Sequence, residues 1–354
     1  MSKLATEARA WFRHVLAFSV MGLAIVLTLT ACSDPSARVV LRGGTMGTTW
    51  SVIYDAASGV DGPGLQASLE EELVAINQAL STYIPEAEIS QLNAAETDVS
   101  QVLSTRFSDV LTEALAVAAL TDGAYDVTVG PLVELWGFGS REFVGDVPSD
   151  QEIDDALSLV GGSRLRWDSK SRALSKPAGM RIDMSSIAKG YAVDRLTSIV
   201  RSTGVQNALV EIGGELRALG QRPGGGPWRL AVESPMPSQS RIIDAINVSD
   251  AAVATSGDYR NYFEVDGVRY SHLVDPRTGY PVAHDLVSVT VVDTNCMLAD
   301  ALATALIVLG LEEARALADA EGLAAQFVSR RGDELEVHYT ESFAAFRVNR
   351  NDTP

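Results

Sequence analysis

The chain has 354 residues, of which 46% are hydrophobic and 21% charged, and it carries a formal net charge of −18. There is enough apolar material for a large core, which argues against a disordered chain, and so acidic a surface repels phosphate backbones, which argues against a nucleic-acid partner. Its two cysteines, Cys32 and Cys296, build neither a disulfide framework nor a cysteine zinc site.

In chain order, residues 1–14 are basic on balance through Lys3, Arg9 and Arg13. Val15 to Thr30 is an uncharged, mostly apolar run, shorter than the roughly 20 residues a membrane-spanning helix needs. It ends in Leu29-Thr30-Ala31-Cys32, which resembles the lipobox of bacterial lipoproteins, where the cysteine is lipidated and becomes the new N-terminus. An ordinary signal peptide cleaved near Ala31, or a short uncleaved anchor, is the alternative. The expectation is a leader over 1–31, a tether over 32–37, one body over 38–346 and a tail over 347–354. The body then works on the periplasmic side of a bacterial membrane, anchored through a lipid on Cys32, with the inner membrane preferred. Cys296 is left unpaired and reads as a small buried hydrophobe.

Arg38–Asp55 alternates as a strand pair interrupted by Gly43-Gly44-Thr45-Met46-Gly47. Helical spacing of Leu65, Leu69, Leu73, Ile76 and Leu80 predicts a helix over Gly64–Leu80, and a second covers Ser104–Thr121, stopped by Asp122-Gly123. Pro131–Trp136 reads as a helical turn and Asp150–Val160 as a helix with Ser149 at its N-cap. Arg181–Met184 is a short strand entering a long helix over Ser185–Thr203. Strands follow at Asn207–Gly220, Trp228–Glu233, Arg241–Val248 and Phe263–Leu273, with a glycine-rich loop at Gln221–Pro227. Leu286–Val292 is a strand, Cys296–Leu309 an apolar helix and Glu312–Ala320 another, before closing strands. Strands and helices mix without strict alternation, which favours an α+β fold.

No Gly-x-Gly-x-x-Gly follows a strand, and there is no Walker-type loop, His-Glu-x-x-His or Gly-x-Ser-x-Gly. Three polar constellations remain. In Asp300-Ala-Leu-Ala-Thr304, carboxylate and hydroxyl lie one helical turn apart on one face, a pair suited to magnesium completed by carbonyl, water and phosphate oxygens. The structural alternative is a Thr hydroxyl bonded back to the preceding turn. In Arg181–Tyr191 a strand delivers Asp183 to the mouth of a helix, with Lys189 one turn in; a solvated lysine and a dipole-favouring acid compete with an anion site. Thr255–Arg260 and Tyr270–Gly279 form the third, in which His272 ends a strand before a Pro/Gly turn and is the best general-base candidate, against a structural capping histidine. Ser186-x-x-Lys189, Tyr259-x-Asn261 and Arg277-Thr-Gly279 follow the motif order of penicillin-interacting serine enzymes, but the last two lie too close together for that reading.

Taken together these segments resemble the ApbE family, the FAD:protein FMN transferases. The resemblance runs through Gly44-Thr-Met-Gly-Thr-Thr-Trp50, Leu80-Ser-Thr-Tyr83, Glu88-Ile-Ser-Gln-Leu-Asn93 and Thr121-Asp-Gly-Ala-Tyr-Asp-Val-Thr-Val-Gly-Pro-Leu132. It continues through Ile182–Asp194, Val210-Glu-Ile-Gly-Gly-Glu215, His272–Gly279 and Ala299-Asp-Ala-Leu-Ala-Thr304. It implies a T-fold-like α+β architecture, mostly antiparallel sheets with packed helices, and Mg²⁺-dependent transfer of FMN from FAD to a Thr or Ser hydroxyl of a target flavoprotein, releasing AMP. The implied target motif resembles Asp-Gly-x-Ser/Thr-Gly-Ala-Thr, on a subunit of a membrane redox complex.

By position, the resemblance places Met46 and Tyr83 beside the flavin or adenine rings, and Ala124, Tyr125 and Asp126 in a clamp on FAD. Asp183, Lys189 and Leu273 match further FAD contacts. Asp300, Thr304 and the carbonyl of Ser186 match the magnesium ligands. Apart from the resemblance, the spacing makes His272 the expected base, with Asp275 orienting it, and Lys189 is expected near the phosphates. An FAD pyrophosphatase whose acceptor is water, and a flavin-binding lipoprotein without catalysis, are the competing functions.

Overall fold

The computed structural model describes residues 38–95, 100–140, 146–235, 242–259, 261–332 and 334–348. The expected leader, the whole tether with Cys32, and residues 349–354 of the tail lie outside them.

An eight-stranded sheet runs through the body in the order β1 (Arg38–Thr45), β2 (Thr48–Asp55), β6 (Ala208–Ile212), β7 (Glu215–Leu219), β10 (Ala252–Gly257), β13 (Leu286–Asp293), β14 (Ala324–Arg331) and β15 (Glu334–Tyr339). Neighbouring strands are antiparallel throughout. Three small sheets surround it: β3 (Gln101–Val102) with β5 (Ala173–Ser175) and β4 (Arg166–Asp168), the pair β8 (Trp228–Glu233) and β9 (Ile242–Val248), and the pair β11 (Tyr262–Val265) and β12 (Val268–Ser271). The expected α+β class is met.

Residue alternation on the strands creates two cores, one on each face. Trp50, Val52 and Tyr54 of β2, with Val210 and Ile212 of β6, face the larger core. There they meet helices α1 (Gly62–Leu80), α3 (Thr105–Leu120), α6 (Ala188–Ser202) and α7 (Cys296–Leu309). Ala218, Val253, Val292 and Trp228 build the smaller core on the opposite face, under β8–β9. Because both faces are covered, β13 is buried along seven of its eight residues. A satellite cluster of Leu132, Trp136, Ile153 and Val274 joins α4 (Gly130–Leu135) and α5 (Asp150–Leu157) to the loop after β12.

Several expected elements are cut differently. Asn207–Gly220 is a hairpin, not one strand, because Gly213 (φ 59°) and Gly214 (φ 107°) turn the chain. Phe263–Leu273 is likewise split by the Asp266-Gly267 turn into β11 and β12. Strand β1 runs on through Gly43 and Gly44, and only Met46 (φ 49°) and Gly47 (φ 71°) form the turn. The Ser149 cap is present as a full capping box with Glu152, although its helix stops at Leu157. Residues 347–348 belong to the body rather than to the tail: the Val348 amide donates to the Ala245 carbonyl (2.9 Å) and Arg347 Nε to Asp244 (2.7 Å). Strand β10, α2 (Glu88–Ala94) and the β3–β5–β4 sheet have no counterpart among the expected elements.

Two departures shape the site. The expected helix over Ser185–Thr203 starts at Ala188, with Ser185–Ile187 in a turn before it. Residues 181–183 stay extended because Ile182 is held on both peptide atoms by the Asn93 amide (2.7 Å each) and the Asp183 amide donates to the Val127 carbonyl (2.7 Å). Strands β7 and β10 share the pairs Ala252–Arg217 and Val253–Leu216, after which they part.

Helices α6 and α7 meet at Gly190. A Cβ there would land on the Cys296 carbonyl and within 2.8 Å of the Asp300 Cβ. Gly190→Ala should therefore lower stability by about 1–3 kcal/mol through overpacking, read as a lower urea midpoint at unchanged m-value.

Candidate active site

Where β7 and β10 part, a cleft of about 370 Å³ opens, lined by Ala124, Tyr125, Asp126, Asp183, Ser186, Lys189, Glu215, His272, Leu273, Asp300 and Thr304, among others. A second cleft of about 460 Å³ is lined by Met46, Tyr83, Ile76, Asn77 and Leu80, and shares Ser185 and Lys189 with the first. Both are in the size range of small-molecule sites.

Asp300 is the most constrained group in the first cleft. It lies on α7, whose other side chains are apolar apart from Thr304 one turn on, and it is 3% exposed. Its Oδ2 accepts from the Gly190 amide (2.9 Å). In a regular helix that N–H would face the Ser186 carbonyl four residues back; its donation to Asp300 leaves the carbonyl of Ser186 to another partner. Burial raises the Asp300 carboxyl and Glu215 adds to this, while Lys189 and the Gly190 amide oppose them.

Lys189 Nζ pairs with Glu215 Oε1 at 2.6 Å, with Glu215 almost wholly buried. Burial pulls the ammonium down, but Asp300 and Glu215 together outweigh it and hold Lys189 above its usual value. Thr304 Oγ1 lies 3.0 Å from Ser256 Oγ of β10, so its hydroxyl reaches across the cleft wall. The Ser186 hydroxyl donates to the Tyr125 oxygen (3.0 Å), and burial pushes the Tyr125 phenol far up, keeping it neutral.

His272 follows β12. Its Nδ1 lies 3.0 Å from the Asn261 carbonyl, which also accepts from the His272 amide (3.1 Å). A carbonyl can only accept, so Nδ1 carries the proton and Nε2 of the neutral ring presents a lone pair. Burial lowers the imidazole, with Lys189 adding to the effect against the Asn261 bond. The ring is held by an aromatic row: Phe138 meets it edge-on at 6.2 Å and stacks on Phe263 at 5.4 Å, followed by Tyr270 and Trp136.

The ApbE family model matches residues 46–327. The chain belongs to the ApbE family. Among its relatives is the FAD:protein FMN transferase of Vibrio cholerae, 40% identical over 328 residues, spanning 92% of this chain and 98% of the relative. The FAD:protein FMN transferase of Escherichia coli K12 is 35% identical over 316 residues, spanning 88% and 90%. Among solved structures, the flavin transferase ApbE from Vibrio cholerae aligns with a TM-score of 0.82 at 40% identity, covering 88% of this chain and 99% of that one. The apo flavinyl transferase ApbE of Pseudomonas stutzeri aligns at 0.81 and 38% identity, covering 88% and 96%.

Of the residues expected from the ApbE resemblance, Ala124, Tyr125, Asp126, Asp183, Ser186, Lys189, Leu273, Asp300 and Thr304 converge on the first cleft together with His272, the base candidate read from its place before the Pro/Gly turn, and Met46 and Tyr83 sit in the second. One expected pairing does not form. Asp275 does not orient His272: its carboxylate is held by Arg277 Nη2 (2.9 Å), Nε (3.0 Å) and the Arg277 amide (2.8 Å), so it shapes the turn instead. The side chain of Asp126 is also engaged internally, accepting from the Thr128 amide (2.8 Å) and hydroxyl (2.7 Å) and from the Gly162 amide (2.7 Å). Asp183 Oδ1 accepts from the Ser185 amide (2.7 Å). Glu215 and Asn93 carry roles that no local spacing encodes, because the pairing of Glu215 with Lys189 and of Asn93 with Ile182 spans separate elements.

In Glu215→Gln, burial of Lys189 is opposed by Asp300 with less help. The titration of Lys189, followed by NMR at its Cε, should move to lower pH than in the unaltered protein.

Proposed function

We propose that this chain transfers the FMN moiety of FAD to a Thr or Ser hydroxyl of a target flavoprotein, releasing AMP. The observation that carries this reading is the meeting, in one cleft of an ApbE-family protein, of a buried carboxylate, a lysine and a histidine with an open Nε2, next to a second cleft on the far side of Lys189. Two joined clefts suit an extended dinucleotide whose rings and diphosphate need separate surroundings.

The donor set suits a hard divalent cation such as Mg²⁺. Among the described residues there is no cluster of three or more His, Cys, Asp or Glu; the ligands that the ApbE resemblance implies are the Asp300 carboxylate, the Thr304 hydroxyl and the Ser186 carbonyl, and all three residues line the first cleft. A magnesium ion keeps waters and substrate phosphates as its remaining ligands, and the charge it brings matches a carboxylate that burial alone disfavours. When bound, it supplies Lewis-acid stabilisation of the charge that accumulates on the diphosphate.

The remaining work falls to the chain's own side chains. The acceptor oxygen attacks the phosphorus of the FMN half; the bond from that phosphorus to the bridging oxygen breaks and AMP leaves with it. The acceptor proton passes to His272 Nε2, which the Asn261 carbonyl keeps in the correct tautomer. Lys189, kept charged by Asp300 and Glu215, holds a positive charge beside the departing phosphate. Met46 and Tyr83 offer a thioether and an exposed phenol to a ring system in the second cleft.

We extend the proposal to the address: a lipid on Cys32 would hold the enzyme on the periplasmic side of the inner membrane, within reach of a membrane redox subunit. Growth with labelled palmitate should label the unaltered chain and leave Cys32→Ser unlabelled; equal labelling of both would sink the lipoprotein reading.

The transfer itself is tested with the chain from Ser33 onward, FAD, Mg²⁺ and a domain bearing Asp-Gly-x-Thr-Gly-Ala-Thr. Mass spectrometry should find one FMN on the domain, dependent on Mg²⁺ and lost in Asp300→Ala. Because only the neutral imidazole accepts a proton and its pKa is lowered, activity should persist on acidification past the usual imidazole value near 6.5 and fall only below it. His272→Ala should cost about 10²–10⁴-fold in rate. Free FMN and AMP with an unmodified domain would instead mark a pyrophosphatase, and intact bound FAD a binding protein.

A further inference from the structure

Helix α7 carries Asp300 and Thr304, yet almost everything else on it is apolar and buried. Apolar burial is non-directional, so it does not by itself fix how far the helix slides or turns. The register has to come from polar anchors, and the structure shows two sets on α6. Gly190 donates to Asp300 within the cleft (2.9 Å). One turn along the same face of α6, Asp194 Oδ2 accepts from the Met297 amide (2.9 Å), and the nearby Cys296 amide favours the charge of that carboxylate. These are N–H groups at the start of α7, which have no acceptor within their own helix; Asn295 takes a third, from Leu298 (3.0 Å).

The other oxygen of Asp194 is paired with Arg217 of β7. Arg217 stands two residues from Glu215 on the same strand, hence on the same face. The same three elements are therefore tied twice, once by Lys189, Glu215 and Asp300 at the cleft, and once by Asp194, Arg217 and the α7 amides behind it. Asp194 and Arg217 line neither cleft.

We propose that Asp194 is a positioning residue: by accepting from the first amides of α7 it sets the register at which Asp300 and Thr304 face the cleft, without touching substrate. The proposal rests on the reading that Asp300 and Thr304 serve the transfer site. Its distinguishing feature is that the acceptor role toward α7, not the ion pair with Arg217, carries the effect.

The test uses the full chain as Asp194→Ala, Asp194→Asn, Arg217→Gln and, as reference, Asp300→Ala. The first readout is hydrogen exchange of the Gly190 amide, whose acceptor is Asp300 itself, and it is independent of turnover. Asp194→Ala should speed that exchange about tenfold through loosened α6–α7 contact. It should lower kcat and raise the half-saturating Mg²⁺ concentration by about 10-fold or more. The KM for FAD should stay within about threefold, since no substrate contact is lost. Asp194→Asn, which keeps an oxygen for the amides, should recover most of the kcat, and Arg217→Gln should stay close to the unaltered protein. Normal Gly190 exchange and kcat in Asp194→Ala would overturn the proposal, as would Arg217→Gln matching Asp194→Ala in kcat. If Asp194→Ala does not fold, the comparison of Asp194→Asn with Arg217→Gln decides: a greater loss in Arg217→Gln overturns it. An active Asp300→Ala would overturn the reading of the site itself, whereas an inactive Asp300→Ala beside a fully active Asp194→Ala would overturn this proposal alone.

Discussion

The bond from the Gly190 amide to Asp300 is the contact on which the rest of the site depends. It takes a donor from the first turn of one helix and gives it to a carboxylate buried in another, so that neither group is stranded away from water. It requires the backbones of α6 and α7 to come together without an intervening side chain, which only glycine permits at that point. It also diverts the amide from Ser186, so the helix start leaves that carbonyl without its usual partner four residues on. Lys189, from the neighbouring residue, then offsets the charge of Asp300, while Glu215 on the neighbouring strand adds a second negative charge and pairs with Lys189.

The frame around this contact is built to keep it in place. Asn93 brackets the Ile182 peptide much as a neighbouring strand would, with both amide atoms used. Asp183 therefore arrives at the cleft from an extended segment fixed on both sides. On the opposite wall the aromatic row from Trp136 to Phe138 backs the ring of His272, and Trp136 Nε1 ties that row to the Gly279 carbonyl (2.9 Å). Rigid elements thus hold each polar group, while the loop after β12 is stiffened by the Asp275–Arg277 pair.

The sequence disclosed helices with long apolar periodicity and the composition of the site more readily than its connections. Leu65 to Leu80 and Cys296 to Leu309 are legible because one face, or the whole helix, is apolar. Strand β10, with its run Ala-Val-Ala-Thr-Ser-Gly, has no bulky alternation and is sandwiched by other strands, so nothing local marks it. The Asn207–Gly220 and Phe263–Leu273 hairpins read as single strands because their turns are only two residues long. Motif spacing brought His272, Asp183, Lys189, Asp300 and Thr304 forward as candidates, and they do share a cleft. The expected Asp275–His272 pair failed for a simple reason: an aspartate just before Pro-Arg in a tight turn finds the following backbone and guanidinium before it finds a side chain three residues back. The role of Glu215 depends on β7 lying beside α6, a neighbourhood that only the fold creates.

The eight-stranded sheet is continuous by topology but narrow at one joint, the two residue pairs linking β7 to β10. Beyond that joint the lips of the cleft belong to different halves: Glu215 to the β1–β2–β6–β7 side, Thr255 to Gly257 to the β10–β13–β14–β15 side. The ladder is already open there, so a small change in the angle between the halves breaks no strand-to-strand hydrogen bond at the mouth. The elastic cost of adjusting the aperture falls instead on helix packing at α6 and α7, where the acid, the lysine and the glycine meet. The mouth is thus bounded by strand ends that share no ladder, while Asp300, Lys189 and Gly190 sit where two helices pack backbone to backbone.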